Sequence, residues 1–404
     1  MSKCFNLDQN VYEAALERIN WAFDTFPRVC VALSGGKDST VTMHLALQVA
    51  RERGRLPVDA MLIDLEGQYR ATMDHVRDMF ALPGVRQWWI CLPLNLRNAS
   101  SAFKPYWCCW EPGEEANWVR PLPDHPAVIS DPGYFPFYKH RMEFEEFVPA
   151  FNEWLAGDAG AVFLVGIRAD ESLNRYKAVR KGEKLKKCAY QGKAWTSMSS
   201  AKAKSVSMYP IYDWRFDDLW KYVHDNGLPY NRLYDMMHLA GVPFAEMRIC
   251  QPYRADQRKG LDLFHKVEPD TWFRIVQRVE GANWAAHYAR QKFLGYHGGV
   301  GLPPTFSSWR QYADFLLMSF PEDLRIVYQR RIDVFFGWWA EHGYPGEKVP
   351  DAGDIRLEGK KMQPSWRRVC RSLLKMDMGK SLSFGFCRKD TDRLLEIKAR
   401  YADL

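Results

Sequence analysis

Hydrophobic positions along the first part of the chain alternate between short unbroken runs and longer stretches at helical spacing. Val29, Cys30, Val31, Ala32 and Leu33 form one run, and others fall at 58–64, 86–92 and 161–167. Unbroken apolar runs of this length predict strands buried on both faces. Before the first run, 11–26 reads as a leading helix with apolar residues near helical spacing, and 67–82 and 139–155 read as helices between the later runs. A further helix is expected to start near Asp38, directly after the first run. The alternation predicts an α/β fold in which helices cover both faces of a mostly parallel, twisted sheet.

The rhythm breaks at 95–138, a Pro- and Trp-rich stretch containing Lys104-Pro105-Tyr106-Trp107-Cys108-Cys109-Trp110. It reads as an insertion or lid over the carboxyl ends of the strands, where open α/β sheets bind ligands. A helix at 216–226 with Gly227 behind it follows. Beyond about 235 the strand signal fades and helical segments dominate, at 271–280, 309–319 and 322–342, with a Gly- and Pro-bearing loop at 343–359. Two domains are expected: residues 1–240, carrying the sheet, and an α-rich domain at 241–404.

Bulk properties narrow the class without naming a function. The chain has 404 residues, 47% of them hydrophobic, enough for a sizeable core. No stretch approaches the roughly 18 consecutive apolar residues of a membrane span, and the first residues lack an apolar signal core. A cytoplasmic location is the default expectation, without membrane association. The odd set of nine cysteines suits thiols or ligands better than a disulfide framework. Net charge is +7, and between Arg168 and Lys204 eleven Lys/Arg face three acids, so one segment carries the basic character. It is either a solvated loop or an electropositive wall for phosphate or nucleic acid.

The strongest chemical signal is the turn Ser34-Gly35-Gly36-Lys37-Asp38-Ser39 between the first strand and its helix. Paired glycines let backbone N–H groups point inward, and the helix that follows brings its positive dipole end to the same place. Lys37 adds a cation, and Ser34 and Ser39 add hydroxyls, making a pocket for phosphate or pyrophosphate. The turn is too short for a Walker A loop, which needs a further glycine upstream.

A Ser-Gly-Gly-Lys-Asp-Ser turn after an apolar strand resembles the PP-loop of the adenine nucleotide α-hydrolase superfamily, and more of the chain resembles its phosphoadenylyl-sulfate (PAPS) reductase branch. Gly166-Ile167-Arg168-Ala169-Asp170-Glu171 with Arg175 is similar to that branch's G-x-R-x-D-E-x-x-x-R segment. Pro210-Ile211-Tyr212-Asp213-Trp214, then Asp217-Asp218-Leu219-Trp220 and Pro229-Tyr230-Asn231, are similar to its P-I-x-D-W and P-Y-N segments. The resemblance covers roughly 28–235. It implies that main-chain groups of Ala32, Leu33, Leu92 and Leu94 hold adenine and that Asp64 lies near the ribose or a Mg²⁺. By the same resemblance Arg168 and Arg175 face phosphate or sulfate oxygens, for which a guanidinium fork is suited. Asp170 and Glu171 either help position magnesium or pair with neighbouring Lys and Arg.

Departures from the reductases matter as much. The C-terminal Glu-Cys-Gly-[IL]-His segment of the thiol-dependent enzymes has no counterpart, and no Cys-x-x-Cys accompanies Cys108-Cys109. Convergence of Cys108, Cys109, Cys188 and Cys250 on zinc or an iron–sulfur cluster is conceivable, although spacing does not support it. Arg248-Ile249-Cys250-Gln251-Pro252-Tyr253 and the Tyr-Trp-Cys-Cys-Trp insertion resemble PAPS-reductase-related bacterial proteins typified by immunoglobulin-binding regulator A. Members of that group are commonly encoded beside a ParB/sulfiredoxin-like protein, which becomes a possible partner, with nucleic acid a second one through 168–204. The leading expectation is an ATP-dependent enzyme that splits ATP to AMP and pyrophosphate while adenylating an acceptor, with Lys37, Asp38 and Arg168 as catalytic candidates. Gly35, Gly36 and Gly166 complete the expected nucleotide site. The alternatives are PAPS-type reduction and a nucleotide-sensing regulator without turnover.

Overall fold

A computed structural model describes residues 9–98, 106–171, 175–176, 189–200, 202–244, 247–249, 261–282, 301–320, 322–341, 343–359 and 363–374. Cys188, Cys250 and residues 172–174, 177–188 and 201 of the basic stretch lie outside the described residues. Two compact units emerge: one built from 1–97, 106–252 and 263–279, the other from 98–105, 253–262 and 280–404.

The first unit opens with α1 (Val11–Thr25), capped by the Asn10 side chain and burying Ala14, Ala15, Arg18, Ile19, Ala22 and Phe23. Strand β1 (Arg28–Ala32), helix α2 (Lys37–Glu52), strand β2 (Val58–Ile63), helix α3 (Arg70–Phe80) and strand β3 (Val85–Ile90) follow in strict alternation. Next come β4 (Leu94–Arg97), β5 (Tyr106–Cys109), β6 (Val128–Ile129), α4 (Phe144–Ala156), β7 (Ala161–Val165), β8 (Thr196–Ser197) and β9 (Ser205–Met208). Seven strands form one sheet in the order β6-β3-β2-β1-β7-β9-β8, parallel except where β8 meets β9. This is the α/β architecture that the alternating runs imply.

Strand β1 lies at the centre, with Ala32 opposite Met61 of β2 and Val165 of β7. Residues on both faces of β2 are buried, which is why its sequence is an apolar run rather than an alternation. The 95–138 stretch, expected as an insertion or lid, contributes strands of its own. Its β4 and β5 form a separate antiparallel pair, while β6 joins the sheet edge beside β3. Strand β9 escapes pattern reading because its short Ser-Val-Ser-Met sequence sits behind a Lys-rich segment, yet it pairs with β7 over four residues.

Helices α5 (Phe216–Asp225), α6 (Leu233–Leu239), α7 (Leu261–Val267, in this unit from Leu263) and α8 (Pro269–Arg278) complete the first unit's described helices. The second unit contains α9 (Trp309–Met318), α10 (Glu322–Glu341), α11 (Ile355–Gly359) and α12 (Trp366–Leu374), matching the expected helical character of the C-terminal region. Trp309, Ala313, Leu317, Tyr328, Ile332, Val369, Cys370 and Leu373 form its core. Asp351 accepts from the N–H groups of Trp309 and Arg310, satisfying donors that the first turn of α9 leaves free.

Candidate functional site

Strand β1 ends against the turn, and Gly35 takes a left-handed conformation (φ 72°) to send the chain into α2. A side chain there would also strike Thr72, whose Cγ2 lies 2.7 Å from an added Cβ. Gly36 caps α2 with an extended backbone. Hydroxyls knit the loop: Ser34 Oγ and Ser39 Oγ are 3.1 Å apart, Ser39 Oγ donates to the Gly36 carbonyl at 2.9 Å, and Thr40 Oγ1 reaches the same carbonyl at 3.1 Å. His75 Nε2, 2.8 Å from Thr40 Oγ1, extends this chain of contacts to α3.

Gly166, at the end of β7, sits where no larger residue fits. An added Cβ would lie 2.7 Å from the Asp38 carbonyl carbon and 2.9 Å from the Ser39 nitrogen. Two residues on, the Arg168 guanidinium pairs with the Asp38 carboxylate through Nε, and its NH1 reaches Asp170 Oδ2 at 3.3 Å. Lys37 Nζ is 3.3 Å from Asp38 Oδ2. Burial pushes the Asp38 carboxyl up, but Lys37 and Arg168 prevail and hold it below the ordinary range. Glu171 moves the other way, raised by burial and by the Asp38 charge, although Arg175 NH1 lies 2.8 Å from its Oε2.

Lys37, Arg168, Asp170, Glu171, Phe216, Met247 and Arg248 line a cleft of about 110 Å³. The structure therefore brings together the expected Lys37, Asp38, Arg168, Asp170, Glu171 and Arg175. Ser34 is exposed, whereas Gly35, Gly36, Lys37, Asp38 and Ser39 are buried. Lys37 is only 2% exposed and donates to the Met247 carbonyl at 3.4 Å.

Asp64 is placed elsewhere. It follows β2 and is fully buried, paired with Arg120 and accepting from the Trp89 indole at 2.9 Å and from the Glu66 N–H at 3.0 Å. Glu66, equally buried at φ 66°, accepts from the N–H groups of Trp110 and Val119 and from Arg278 of α8. This network seats the 95–138 insertion on the carboxyl end of β2. It gives Asp64 protein partners on every side, at the position where the resemblance implies ribose or Mg²⁺ nearby.

The expected adenine-holding main chain is also partly committed. The Leu33 N–H donates to the Met61 carbonyl at 2.8 Å, and Ala32 is paired on both sides. The Cys109 thiol points at the Leu92 and Leu94 carbonyls, at 3.5 and 3.6 Å. Cys108, next to it on β5, makes contact with Glu111 instead, as successive strand residues face opposite ways. One metal between these two thiols is therefore poorly served, and burial raises the pKa of both. Among the described residues no group of three or more His, Cys, Asp or Glu could hold a metal ion.

Pattern reading passes over several residues around the turn. Asn231 stands out in the sequence only as the last member of a Pro-Tyr-Asn motif. It is fully buried and donates to the Gly35 carbonyl at 2.9 Å and to Thr72 Oγ1 at 3.0 Å, tying α6 to the turn. Tyr234 Oη accepts from the Lys37 N–H at 3.0 Å. Arg248 lines the cleft. Nothing in their spacing signals these contacts, because they arise from segments about 200 positions away in sequence. Asp213 of the Pro-Ile-Tyr-Asp-Trp segment meets Arg18 in a two-pronged pair with both bonds at 2.7 Å, so this residue holds α1 rather than a ligand.

A parallel sheet whose central strand runs through paired glycines into a lysine-bearing helix start defines a PP-loop, adenine nucleotide α-hydrolase-like protein. A family model described as the phosphoadenosine phosphosulfate reductase domain matches residues 136–245, and one described as a domain of unknown function, DUF3440, matches 241–349. The uncharacterized protein YbdN of Escherichia coli K12 is 39% identical over 384 residues, covering 94% of this chain and 91% of that protein. The chain belongs to the YbdN family of PAPS reductase-like proteins with a DUF3440 region. Adenosine 5'-phosphosulfate reductase of Oceanobacillus iheyensis is 31% identical over 75 residues, 18% of this chain and 24% of that protein. Among solved structures, the PAPS reductase of Candida auris in a phosphate complex matches with a TM-score of 0.31 at 17% identity, over 58% of this chain and 94% of that one. No helix among the described residues is long and apolar enough to cross a membrane.

Proposed function

We propose that the chain binds ATP at the turn and splits it between the α and β phosphates, transferring AMP to an acceptor and releasing pyrophosphate. The observation that carries this reading is the convergence of the α2 N-terminus, Lys37 and Arg168 on one cleft. An acceptor oxygen would form a bond to the α-phosphorus as the bond to the bridging oxygen breaks. Charge gathers on the departing pyrophosphate, where Lys37 and the first amides of α2 act, while Arg168 offsets charge on the α-phosphate. Such catalysis is mostly positioning, so it requires no dedicated base. Asp38 holds Lys37 and Arg168 in place. With Asp38 committed to these two cations, the described residues offer Mg²⁺ no prepared cage, and a metal would arrive on the phosphates.

Sulfonucleotide reduction is less well supported by the described thiols. Cys91, Cys108, Cys109 and Cys370 all have raised pKa values, burial being the leading cause, with Cys370 pushed up to about 12. A nucleophilic cysteine needs the opposite shift. Nucleotide sensing without turnover, acting through a ParB/sulfiredoxin-like partner, is favoured by one observation. Lys37 is nearly inaccessible, so ligand entry must move something.

Incubation of the full chain with ATP, Mg²⁺ and candidate acceptors, with AMP and pyrophosphate measured, separates these readings. Lys37→Ala removes a charge-assisted contact and is expected to weaken ATP binding roughly ten- to a hundredfold. Binding without turnover favours sensing. Calorimetry showing no association with ATP, AMP or sulfonucleotides would sink the proposal.

A further inference from the structure

The Lys37 N–H at the start of α2 already has a partner. Asn231 anchors the beginning of α6: its side-chain amide donates to Gly35 and Thr72, and its Oδ1 accepts from the Leu233 N–H at 2.9 Å. Three residues on, Tyr234 is carried across the turn. Its hydroxyl accepts from the Lys37 N–H at 3.0 Å and lies 3.6 Å from where a Gly36 side chain would begin. Its ring lies 5.2 Å from the Lys37 ammonium, which is itself bonded to the Met247 carbonyl. Tyr234 is 3% exposed. A phenol oxygen and a main-chain carbonyl thus satisfy the N–H and the ammonium that a phosphate would use.

Resting on the nucleotide-binding reading above, we propose that Tyr234 is a built-in plug of the phosphate site, displaced by the incoming phosphate and coupling nucleotide binding to movement of α6. A neutral hydroxyl completes the N–H hydrogen bond but does little for the positive helix end or for Lys37. A phosphate anion does both, so exchange is favourable even though Tyr234 gives up its place on the turn. The consequence reaches beyond the turn. Tyr234 meets the Trp220 ring edge-on at 5.5 Å, and the two share with Tyr230, His238 and Phe244 the lining of a cavity of about 600 Å³ between α5 and α6. Withdrawal of Tyr234 reshapes that cavity, giving a nucleotide-dependent surface at α5–α6.

The test uses the full chain with ATP and with inorganic pyrophosphate. Tyr234→Phe removes the hydroxyl from the ligand-free state alone. It should therefore tighten binding roughly two- to tenfold while lowering the unfolding temperature, two effects of opposite direction. In the unmodified chain, pyrophosphate should slow amide hydrogen exchange across 34–38 and speed it across 233–239. Weaker binding by Tyr234→Phe would make the hydroxyl a ligand of the nucleotide and overturn the plug, as would slowed or unchanged exchange in α6. The exchange measurement needs no variant and stands if the variant folds poorly. If neither ligand binds either form, the phosphate-site reading itself fails, a result distinct from binding without α6 movement.

Discussion

Gly166→Ala tests the meeting of β7 with the start of α2 using a single methyl group. The glycine is not at positive φ, so alanine meets no conformational penalty and the whole effect is steric. Its Cβ would sit 2.7, 2.8 and 2.9 Å from the Asp38 carbonyl carbon, the Asp38 oxygen and the Ser39 nitrogen. Comfortable separation is about 3.5–4.0 Å, so the strand end and the helix must part by something under an ångström. These neighbours are backbone atoms in a hydrogen-bonded helix and cannot swing aside as a side chain would. Overpacking of this kind costs about 1–3 kcal/mol. For a unit of this size that corresponds to a melting temperature lower by roughly 2–12 °C. The same shift pulls Asp38 from Arg168 and tilts the α2 N-terminus, so ATP affinity should fall at least about tenfold, by the sensitivity of charge-assisted contacts to geometry. Differential scanning calorimetry and isothermal titration measure the two effects. Gly337→Ala, whose Cβ would meet nothing within 4 Å, serves as the control. A Gly166→Ala protein that melts and binds ATP as the parent does would refute the claim that close strand–helix contact shapes the site.

Other expectations follow from the buried charges. Asp213→Ala leaves Arg18, with its side chain 8% exposed, facing the Pro210 carbonyl without a carboxylate, and should destabilise by about 3–5 kcal/mol in urea titrations. If Asp213 served the ligand instead, activity would fall with stability intact. Glu66→Ala strips the acceptor from Arg278, Trp110 and Val119 and should destabilise similarly, with faster hydrogen exchange across α8 and 110–119. Unchanged exchange would contradict the network. His75 has its pKa lowered to about 4 by burial, with the His44 charge acting in the same direction and Asp78 against it. Its neutral form is thus favoured by folding: the stability this contributes is present above about pH 6.5 and lost as pH falls toward 4. The slope is at most ~1.4 kcal/mol per pH unit for one site. His75→Gln should flatten the pH dependence of unfolding in that window, and an unaltered profile would remove His75 as its source.

The sheet and the glycine turn are legible in the sequence because both are local statements. Val29–Leu33 reads as a buried run, Gly35 and Gly36 as a tight turn, and the stretch from about Asp38 to Leu47 as the helix behind it, from side-chain size and spacing alone. The helical C-terminal region is legible for the same reason. Boundaries shift by a residue or more, as where the run at 86–92 becomes β3 at Val85–Ile90. What surrounds the turn is a matter of which distant segments pack there, and no period or spacing encodes that. Asn231 stands out only as the end of a Pro-Tyr-Asn motif and Tyr234 carries no signal at all, until α6 folds across Gly35 and Lys37. Asp64 reads only as an acid at a strand end, and the sequence does not show that Arg120 and the indoles of Trp89 and Trp110 close around it. The sequence by itself determined that a tight glycine turn leads into a helix start at the carboxyl end of a parallel sheet, since glycine conformation and helix polarity are properties of the local chain. Only the tertiary structure decided that the turn is capped by its own tyrosine and that its lysine is buried, since contacts between remote segments follow from burial of the whole unit.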